Sequence, residues 1–250
     1  MNSVVAVIPV FGRGLLVPFT IRRLVRMGVK VVCITEYENE RRFCREAGAT
    51  VTTLMKRPLG EKWNAGFLCA KQFDPDFYLY VGSSDWVSDN WLDVMLPVAE
   101  NYELTGVLDF YELHLVYDYP FKRRQDYNRE EVNRSFKGRK LGHWNGYSGE
   151  RKGEPIGIGR ILRRDFVKRI GHKPFDDSLV KNLDNSMYRK TENVHAMRCD
   201  EIKCLSLSTT LWSNRHSFAL DMQNEGSRVF NDTEANDFLE KWFPETFKLF

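Results

Sequence analysis

Short apolar or β-branched runs, separated by helix-length segments, constrain the fold of this chain more than any other feature. They are residues 4–10, 29–35, 50–55 and 77–81. Continuous runs of this length are typical of strands that are buried on both faces of a parallel sheet. The intervening segments have helical spacing, and two of them end at a glycine, as helices commonly do. The alternation predicts an α/β fold with a mostly parallel, doubly wound sheet flanked by helices.

The length and composition are those of an ordinary globular protein with a large core. The chain has 250 residues, of which 42% are hydrophobic and 28% charged. No uncharged apolar stretch reaches the roughly 18 residues that a membrane span requires, and the N-terminus lacks the basic flank of a signal peptide. The five cysteines are odd in number and lie in apolar segments. We therefore expect reduced thiols and a cytoplasmic location.

Polar residues follow the fourth apolar run directly, as Gly82-Ser83-Ser84-Asp85. In open α/β sheets, ligands bind at the carboxyl ends of the strands. Asp85 is therefore placed where one carboxylate could hold a cation or orient a ligand. The alternative is that Asp85 caps the next helix, because Asp is a favoured N-cap residue.

Two common nucleotide-binding fingerprints are absent. Gly12-Arg13-Gly14 follows the first run, but position 17, where the dinucleotide pattern needs a third glycine, is Val17. No phosphate-binding loop of the G-x-x-x-x-G-K-[ST] type occurs either. The pattern thus argues against a dehydrogenase and a P-loop kinase.

The helix start after the third strand, Lys62-Trp63-Asn64-Ala65-Gly66, carries a base and an amide. If these groups lie near the strand ends, they suit a diphosphate or a nucleoside. The alternative is a loop with a solvated lysine.

The segment from Asp118 to Lys152 differs in character from the rest of the chain. It carries a net charge of +5, whereas the whole chain carries +3. Six aromatic residues are spaced between its charges: Tyr119, Phe121, Tyr127, Phe136, Trp144 and Tyr147. This content predicts an elaborated loop or lobe rather than a disordered linker. The bases would suit an anionic acceptor and the aromatics a base or a sugar, and the alternative is a solvated loop with structural aromatics.

Taken in order, four stretches resemble the GT-A fold glycosyltransferases, and among them the large family 2 type. They are Val7 to Phe11, Lys62 to Gly66, Gly82 to Asp85, and Gly159-Arg160 through Leu183-Asp184. The resemblance covers roughly residues 4–210. It implies a GT-A type α/β fold with an elaborated acceptor-side lobe. It also implies transfer of a sugar from a nucleotide sugar, such as a UDP-sugar, to an acceptor hydroxyl.

The resemblance also implies where the donor binds. The residues that it assigns to the donor are Pro9, Val10, Phe11, Arg13, Glu36, Lys62, Asn64, Ser84, Asp85 and Arg160. For Arg13, the alternative is a surface arginine after a tight turn. For Arg160, and for Arg163 beside it, the alternative is a solvated strand end.

A leaving diphosphate needs a divalent cation or basic groups to neutralise its charge. Mn²⁺ or Mg²⁺ prefers carboxylate oxygens, and Asp85 is the candidate ligand. Here the chain departs from the family, whose acidic motif offers two or three carboxylates. His216 is our candidate for completing the metal site, although a lone histidine is more often structural.

The acceptor hydroxyl needs a general base, and Asp184 matches the family's catalytic position. The resemblance then implies an inverting displacement without a covalent intermediate. The alternative is a solvent-facing helix residue, in which case Asp177 would be the second candidate. Trp144 and Tyr147 are the candidate acceptor-binding residues, for a saccharide or for hydroxymethylated DNA of the phage type.

We expect one compact domain with three parts. They are a nucleotide-sugar-binding half (1–117), a basic aromatic lobe (118–155), and an acceptor and catalytic half with a C-terminal helix (156–250). Two other functions remain open. The first is a sugar nucleotidyltransferase, for which the loop after the first strand is short. The second is a non-catalytic nucleotide-sugar-binding module, which the single Asp85 keeps possible.

Overall fold

A computed structural model describes residues 2–11, 13–118, 134–198, 200–209, 218, 222–223 and 226–249. The strands are β1 (Val4–Pro9), β2 (Lys30–Thr35), β3 (Thr50–Thr53), β4 (Phe77–Tyr80), β5 (Asp85–Val87), β6 (Leu104–Val107), β7 (Phe110–Tyr117), β8 (Phe136–Trp144), β9 (Arg160–Arg163), β10 (Val194–Met197), β11 (Cys204–Thr209) and β12 (Arg228–Val229). The helices are α1 (Val17–Arg26), α2 (Glu38–Glu46), α3 (Leu59–Ala70), α4 (Trp91–Ala99), α5 (Arg164–Arg169), α6 (Leu183–Tyr188) and α7 (Asp232–Trp242). Short 3₁₀ turns follow α3 and α7 and precede β9.

The central sheet has seven strands in the order β10-β6-β9-β4-β1-β2-β3. Strands β4, β1, β2 and β3 run parallel, and β10 runs parallel to β6. Strand β9 lies antiparallel between β4 and β6. The predicted mixed α/β fold with a mostly parallel sheet is confirmed.

Apolar helix faces cover both sides of this sheet. On one side, α1, α2 and α4 pack through residues such as Ile21, Cys44 and Trp91. On the other side, α3 and α5 pack through residues such as Phe67 and Phe166. Burial on both faces explains why the central strands β1, β2 and β4 are mostly apolar.

A second sheet has five strands in the order β12-β8-β7-β11-β5. Its apolar face packs against Leu239 of α7 and against Phe243, the residue that follows this helix. Within the segment predicted to be a lobe, residues 136–144 form β8, which pairs with β7. This sheet matters for the site because β5 begins at Asp85 and pairs with β11.

The alternative considered for Asp85 is wrong. Asp85 caps no helix; it opens β5, and α4 begins only at Trp91. The helix that carries Asp184 begins only at Leu183, because Asn182 has a left-handed φ of 59° that no helix interior adopts. The chain before it forms turns, one of which is closed by Asp176 accepting hydrogen bonds from Ser178.

In the part of the chain that the structure describes, no helix is both long and apolar enough to cross a membrane. The four cysteines in that part, Cys33, Cys44, Cys69 and Cys204, are free thiols. The cytoplasmic location stays a prediction.

A substitution at Gly66 tests how tightly α3 packs on the central sheet. A Cβ at this position would overlap the side chains of Val7 and Ile34, which belong to β1 and β2. We expect Gly66→Ala to lower the free energy of unfolding by about 1–3 kcal/mol, because an overpacked core must shift. Urea unfolding measures the change. Leu68→Ala, on the exposed side of the same helix, is the control; equal losses for the two variants would contradict this packing.

Candidate active site

Asp85 lies at the edge where β4 ends and the second sheet begins. Its Oδ2 accepts a hydrogen bond from the backbone N–H of Gly82 at 3.1 Å, and its Oδ1 accepts one from the Ser206 hydroxyl at 3.0 Å. A Cβ on Gly82 would overlap the Asp85 carboxylate, so the glycine is needed for this turn. No motif or spacing marks Ser206, which comes from β11 and is 121 residues from Asp85.

The electrostatic surroundings of Asp85 are mixed. Burial raises the pKa of the Asp85 carboxyl, whereas the Arg13 guanidinium and the two hydrogen bonds lower it, and the net shift is upward. The negative charge of Asp184 contributes to the rise. The two carboxylates are therefore close enough to interact, although 99 positions separate them in the sequence.

Arg13 and Ser84 extend the site toward the end of β1. The Arg13 guanidinium donates a hydrogen bond to the Ser84 hydroxyl, and Ser84 is almost fully buried. Arg13 has a left-handed backbone with φ of 60°, which is uncommon for a residue with a side chain. Such a conformation persists only where the surroundings enforce it, so the turn after β1 directs this cation toward the Asp85 loop.

Asp184 sits in the first turn of α6 and is framed by three residues. The Tyr147 hydroxyl donates to its Oδ2 at 3.1 Å. The backbone of Gly157 lies so close that a Cβ there would be 2.8 Å from both carboxylate oxygens. Arg160 donates to the Asp184 carbonyl at 3.1 Å. The side chain is 25% exposed, so it remains accessible to solvent.

Tyr80 lies at the strand end near which both carboxylates are held. It ends β4, and its register partner on β9 is Arg160. Burial raises the pKa of Tyr80, and the charges of Asp184 and Asp85 raise it further. The phenol therefore stays neutral beside both acids. The sequence presented Tyr80 only as a strand residue, because no motif marks it.

The predicted donor residues at the ends of β1, β2 and α3 also meet. Lys62 and Glu36, both nearly buried, form an ion pair, and the Lys62 ammonium lies 5.4 Å from the centre of the Phe11 ring. The Phe11 ring is 45% exposed and packs near Tyr37, with 6.3 Å between centroids. Lys62 is thus no solvated loop lysine, and Phe11 offers an aromatic surface beside a charged pair.

Pro9 and Val10 contribute their backbone, paired with Ile34 of β2, to the region around Phe11 and the Glu36–Lys62 pair. Val10 is buried in the core, and its N–H donates to the Ile34 carbonyl at 2.8 Å. This pairing continues β1 alongside β2 to the edge at which Phe11 emerges.

Asn64 connects α3 to the loop before α6. Its amide nitrogen donates to the Phe175 carbonyl at 2.9 Å and to Asp177 at 2.8 Å, and its oxygen accepts from the Phe175 N–H at 3.1 Å. Both ends of the amide are therefore engaged within the protein. Asp177, the second candidate for the base, is also paired with Lys173.

Two predicted ligand contacts need correction. Arg160 is fully buried, and its guanidinium donates to the carbonyls of Pro155, Ile156 and Asp184. Arg160 therefore supports the backbone around Asp184 from the interior of the protein. It is not a solvated strand end. Trp144 is only 7% exposed and packs against Phe110, so its ring is part of the core and no open stacking surface.

The residues near Asp85 fit a cation held jointly by protein and substrate. His216 lies outside the described residues, and within those residues no group of three or more His, Cys, Asp or Glu could hold a metal. Mg²⁺, however, is commonly bound through one or two carboxylates together with substrate phosphates and water. Each Asp85 oxygen accepts one hydrogen bond and retains a second lone pair. The donor set thus fits this mode of binding.

No protein-family model matches the chain, and no curated protein matches it. Among solved structures, it is similar to Mycobacterium tuberculosis glucosyl-3-phosphoglycerate synthase in complex with Mg²⁺ and UDP, at 8% identity and a TM-score of 0.49, over 88% of this chain and 74% of that chain. It is also similar to CMP:2-keto-3-deoxy-manno-octonic acid synthetase complexed with CTP, at 11% identity and a TM-score of 0.42, over 79% of this chain and 91% of that chain. The likeness is distant, so a function for this chain has to follow from its own side chains.

The raised pKa of Asp85 predicts how its replacement changes stability with pH. An acid whose pKa is higher in the folded state destabilises that state once it ionises, and the penalty disappears as the pH falls through the raised pKa. We expect Asp85→Asn to be more stable than wild type at about pH 8 and to lose this advantage toward about pH 4. Urea unfolding across this range tests it, with Asp93→Asn, on the exposed side of α4, as the control. An advantage that grows on acidification would contradict the electrostatic account.

Proposed function

We propose that this chain is a glycosyltransferase that moves a sugar from a nucleotide-sugar donor to an acceptor hydroxyl. One observation carries the proposal: Asp85 is hydrogen-bonded to Gly82 just after β4, and Asp184 contacts Arg160, the register partner of Tyr80 at the end of the same strand, so both carboxylates lie near this strand end. Sugar transfer needs a group that neutralises the leaving diphosphate and a separate base for the incoming alcohol. Two carboxylates in unlike surroundings suit those two roles.

The donor would lie across the ends of β1, β2 and β4. Phe11 provides an exposed ring for a base, and the Glu36–Lys62 pair beside it provides polar groups at the same corner. From there, Arg13 and Ser84 lead toward Asp85. A UDP-sugar with its base near Phe11 and its diphosphate near Arg13 would bring the anomeric carbon between the two carboxylates.

Asp184 would act as the general base. Its carboxylate is partly exposed and rests against Gly157, whose missing side chain leaves the space that the carboxylate occupies. An acceptor hydroxyl within hydrogen-bond reach of Asp184 could give up its proton as its oxygen attacks the anomeric carbon. The bond to the diphosphate breaks in the same displacement, so the configuration at this carbon inverts.

Asp85 would hold Mn²⁺ or Mg²⁺ together with the diphosphate. When bound, the cation neutralises charge on the leaving group. Arg13 would add a second positive charge on the same side, because its guanidinium already acts on Asp85. The Gly82 and Ser206 hydrogen bonds fix the direction of the carboxylate.

The test is release of nucleoside diphosphate from a panel of nucleotide sugars, with and without Mn²⁺, in the presence of saccharides or of DNA containing hydroxymethylated bases. We expect Asp184→Asn to slow this release about 10²- to 10⁴-fold, the usual contribution of a general base, while UDP binding measured by calorimetry stays unchanged. Asp93→Asn is the control and should behave as wild type.

The outcomes separate the alternatives. Pyrophosphate as the product would identify a nucleotidyltransferase. Binding of UDP without turnover of any donor would identify a binding module. Full activity of Asp184→Asn would remove Asp184 from the mechanism.

A further inference from the structure

Tyr147 contacts the proposed base directly. Its hydroxyl donates to Asp184 Oδ2 at 3.1 Å. Burial and the charge of Asp184 raise the pKa of Tyr147 to about 12. The phenol thus keeps its proton at any physiological pH and remains a donor to the carboxylate. This use of the hydroxyl differs from the acceptor contact that the sequence suggested.

The Tyr147 ring is itself held in place from two directions. The Arg151 guanidinium lies over the ring, 3.5 Å from its centre, and Trp144 packs edge-on with 5.0 Å between centroids. Arg151 in turn forms an ion pair with Glu154 at 2.7 Å. Glu154 is buried, so this pair is a fixed point rather than a loose surface contact.

A second contact connects the loop of residues 147–154 to α6. The side chain of Asn185, the residue after Asp184, donates to Glu154 Oε1 at 3.2 Å. Glu154 therefore joins Arg151 on one side and α6 on the other. Residues 147–154 and the first turn of α6 form a closed set of contacts around the Asp184 carboxylate.

Asp184 needs such support, because α6 alone does not fix it. The helix has only six residues and follows Asn182 in the left-handed conformation. A catalytic group must be held within a fraction of an ångström by neighbours whose own positions are locked. We propose that Tyr147, stacked under Arg151, is the positioning residue that aims the Asp184 carboxylate at the acceptor hydroxyl. The proposal rests on the proposed role of Asp184 as the base.

Tyr147→Phe tests the proposal, because it removes the hydroxyl and keeps the ring between Arg151 and Trp144. With the nucleotide sugar that the wild type turns over fastest, we expect kcat for diphosphate release to fall about ten-fold or more, as for loss of a hydrogen bond to a charged group. The KM for the donor and the Kd for UDP should stay unchanged. Tyr102→Phe, whose ring packs on His195, is the matched control and should keep wild-type kcat.

Arg151→Lys tests the stacking of the Arg151 guanidinium on the Tyr147 ring. Lysine keeps the positive charge for Glu154 but cannot stack a planar group on the ring. We expect a smaller fall in kcat, about two- to five-fold, again with an unchanged Kd for UDP. Added to Tyr147→Phe, this substitution should cost little more, because both act through the same hydroxyl.

A structural readout separates this proposal from the proposed function. In crystals of Tyr147→Phe, we expect the Asp184 carboxylate to leave its position against Gly157 or to adopt more than one rotamer. An unmoved carboxylate, or an unchanged kcat, would overturn the positioning role even if sugar transfer is confirmed. A rise in donor KM alone would overturn it in favour of ligand binding. A wild-type chain that turns over no nucleotide sugar would overturn the proposed function itself, and with it the catalytic purpose of this contact.

Discussion

The buried guanidinium of Arg160 holds together the parts on which the candidate site depends. It donates to the carbonyls of Pro155 and Ile156, which fix the approach to β9, and to that of Asp184 on α6. A buried arginine is tolerated only where its donors are satisfied, and here backbone carbonyls satisfy them. Because Arg160 also pairs with Tyr80 through the strand backbone, one residue links the strand that leads to Asp85 with the helix that carries Asp184.

The antiparallel strand β9 makes this link possible. Inserted between β4 and β6, it brings the second half of the chain back to the carboxyl end of β4. The second sheet then closes the other side, since β11 pairs with β5 and its Ser206 reaches Asp85. The candidate site is therefore made of three segments that are far apart in the sequence: the end of β4 with Asp85, β9 and α6 with Asp184, and β11 with Ser206.

The two carboxylates have different surroundings, and this difference suits them to different chemical roles. Asp85 receives a backbone and a hydroxyl hydrogen bond and lies near the cation Arg13. Asp184 takes its hydrogen bond from the Tyr147 phenol, which burial and the charge of Asp184 keep from ionising. Groups with different partners can perform different steps of one reaction, as neighbouring acids in other sites do.

The sequence by itself determined the α/β class, the order of the first strands and helices, and the location of Asp85 at a strand end, because burial on both faces leaves a direct apolar signature. It also singled out Asp184, through a resemblance rather than through any local pattern. Only the tertiary structure decided what surrounds these residues: Tyr147 and Gly157 reach Asp184 across 37 and 27 positions, and Ser206 reaches Asp85 across 121, through contacts that no local periodicity encodes. Likewise, Trp144 and Arg160 read as ligand contacts in the sequence, and only packing revealed that both are interior.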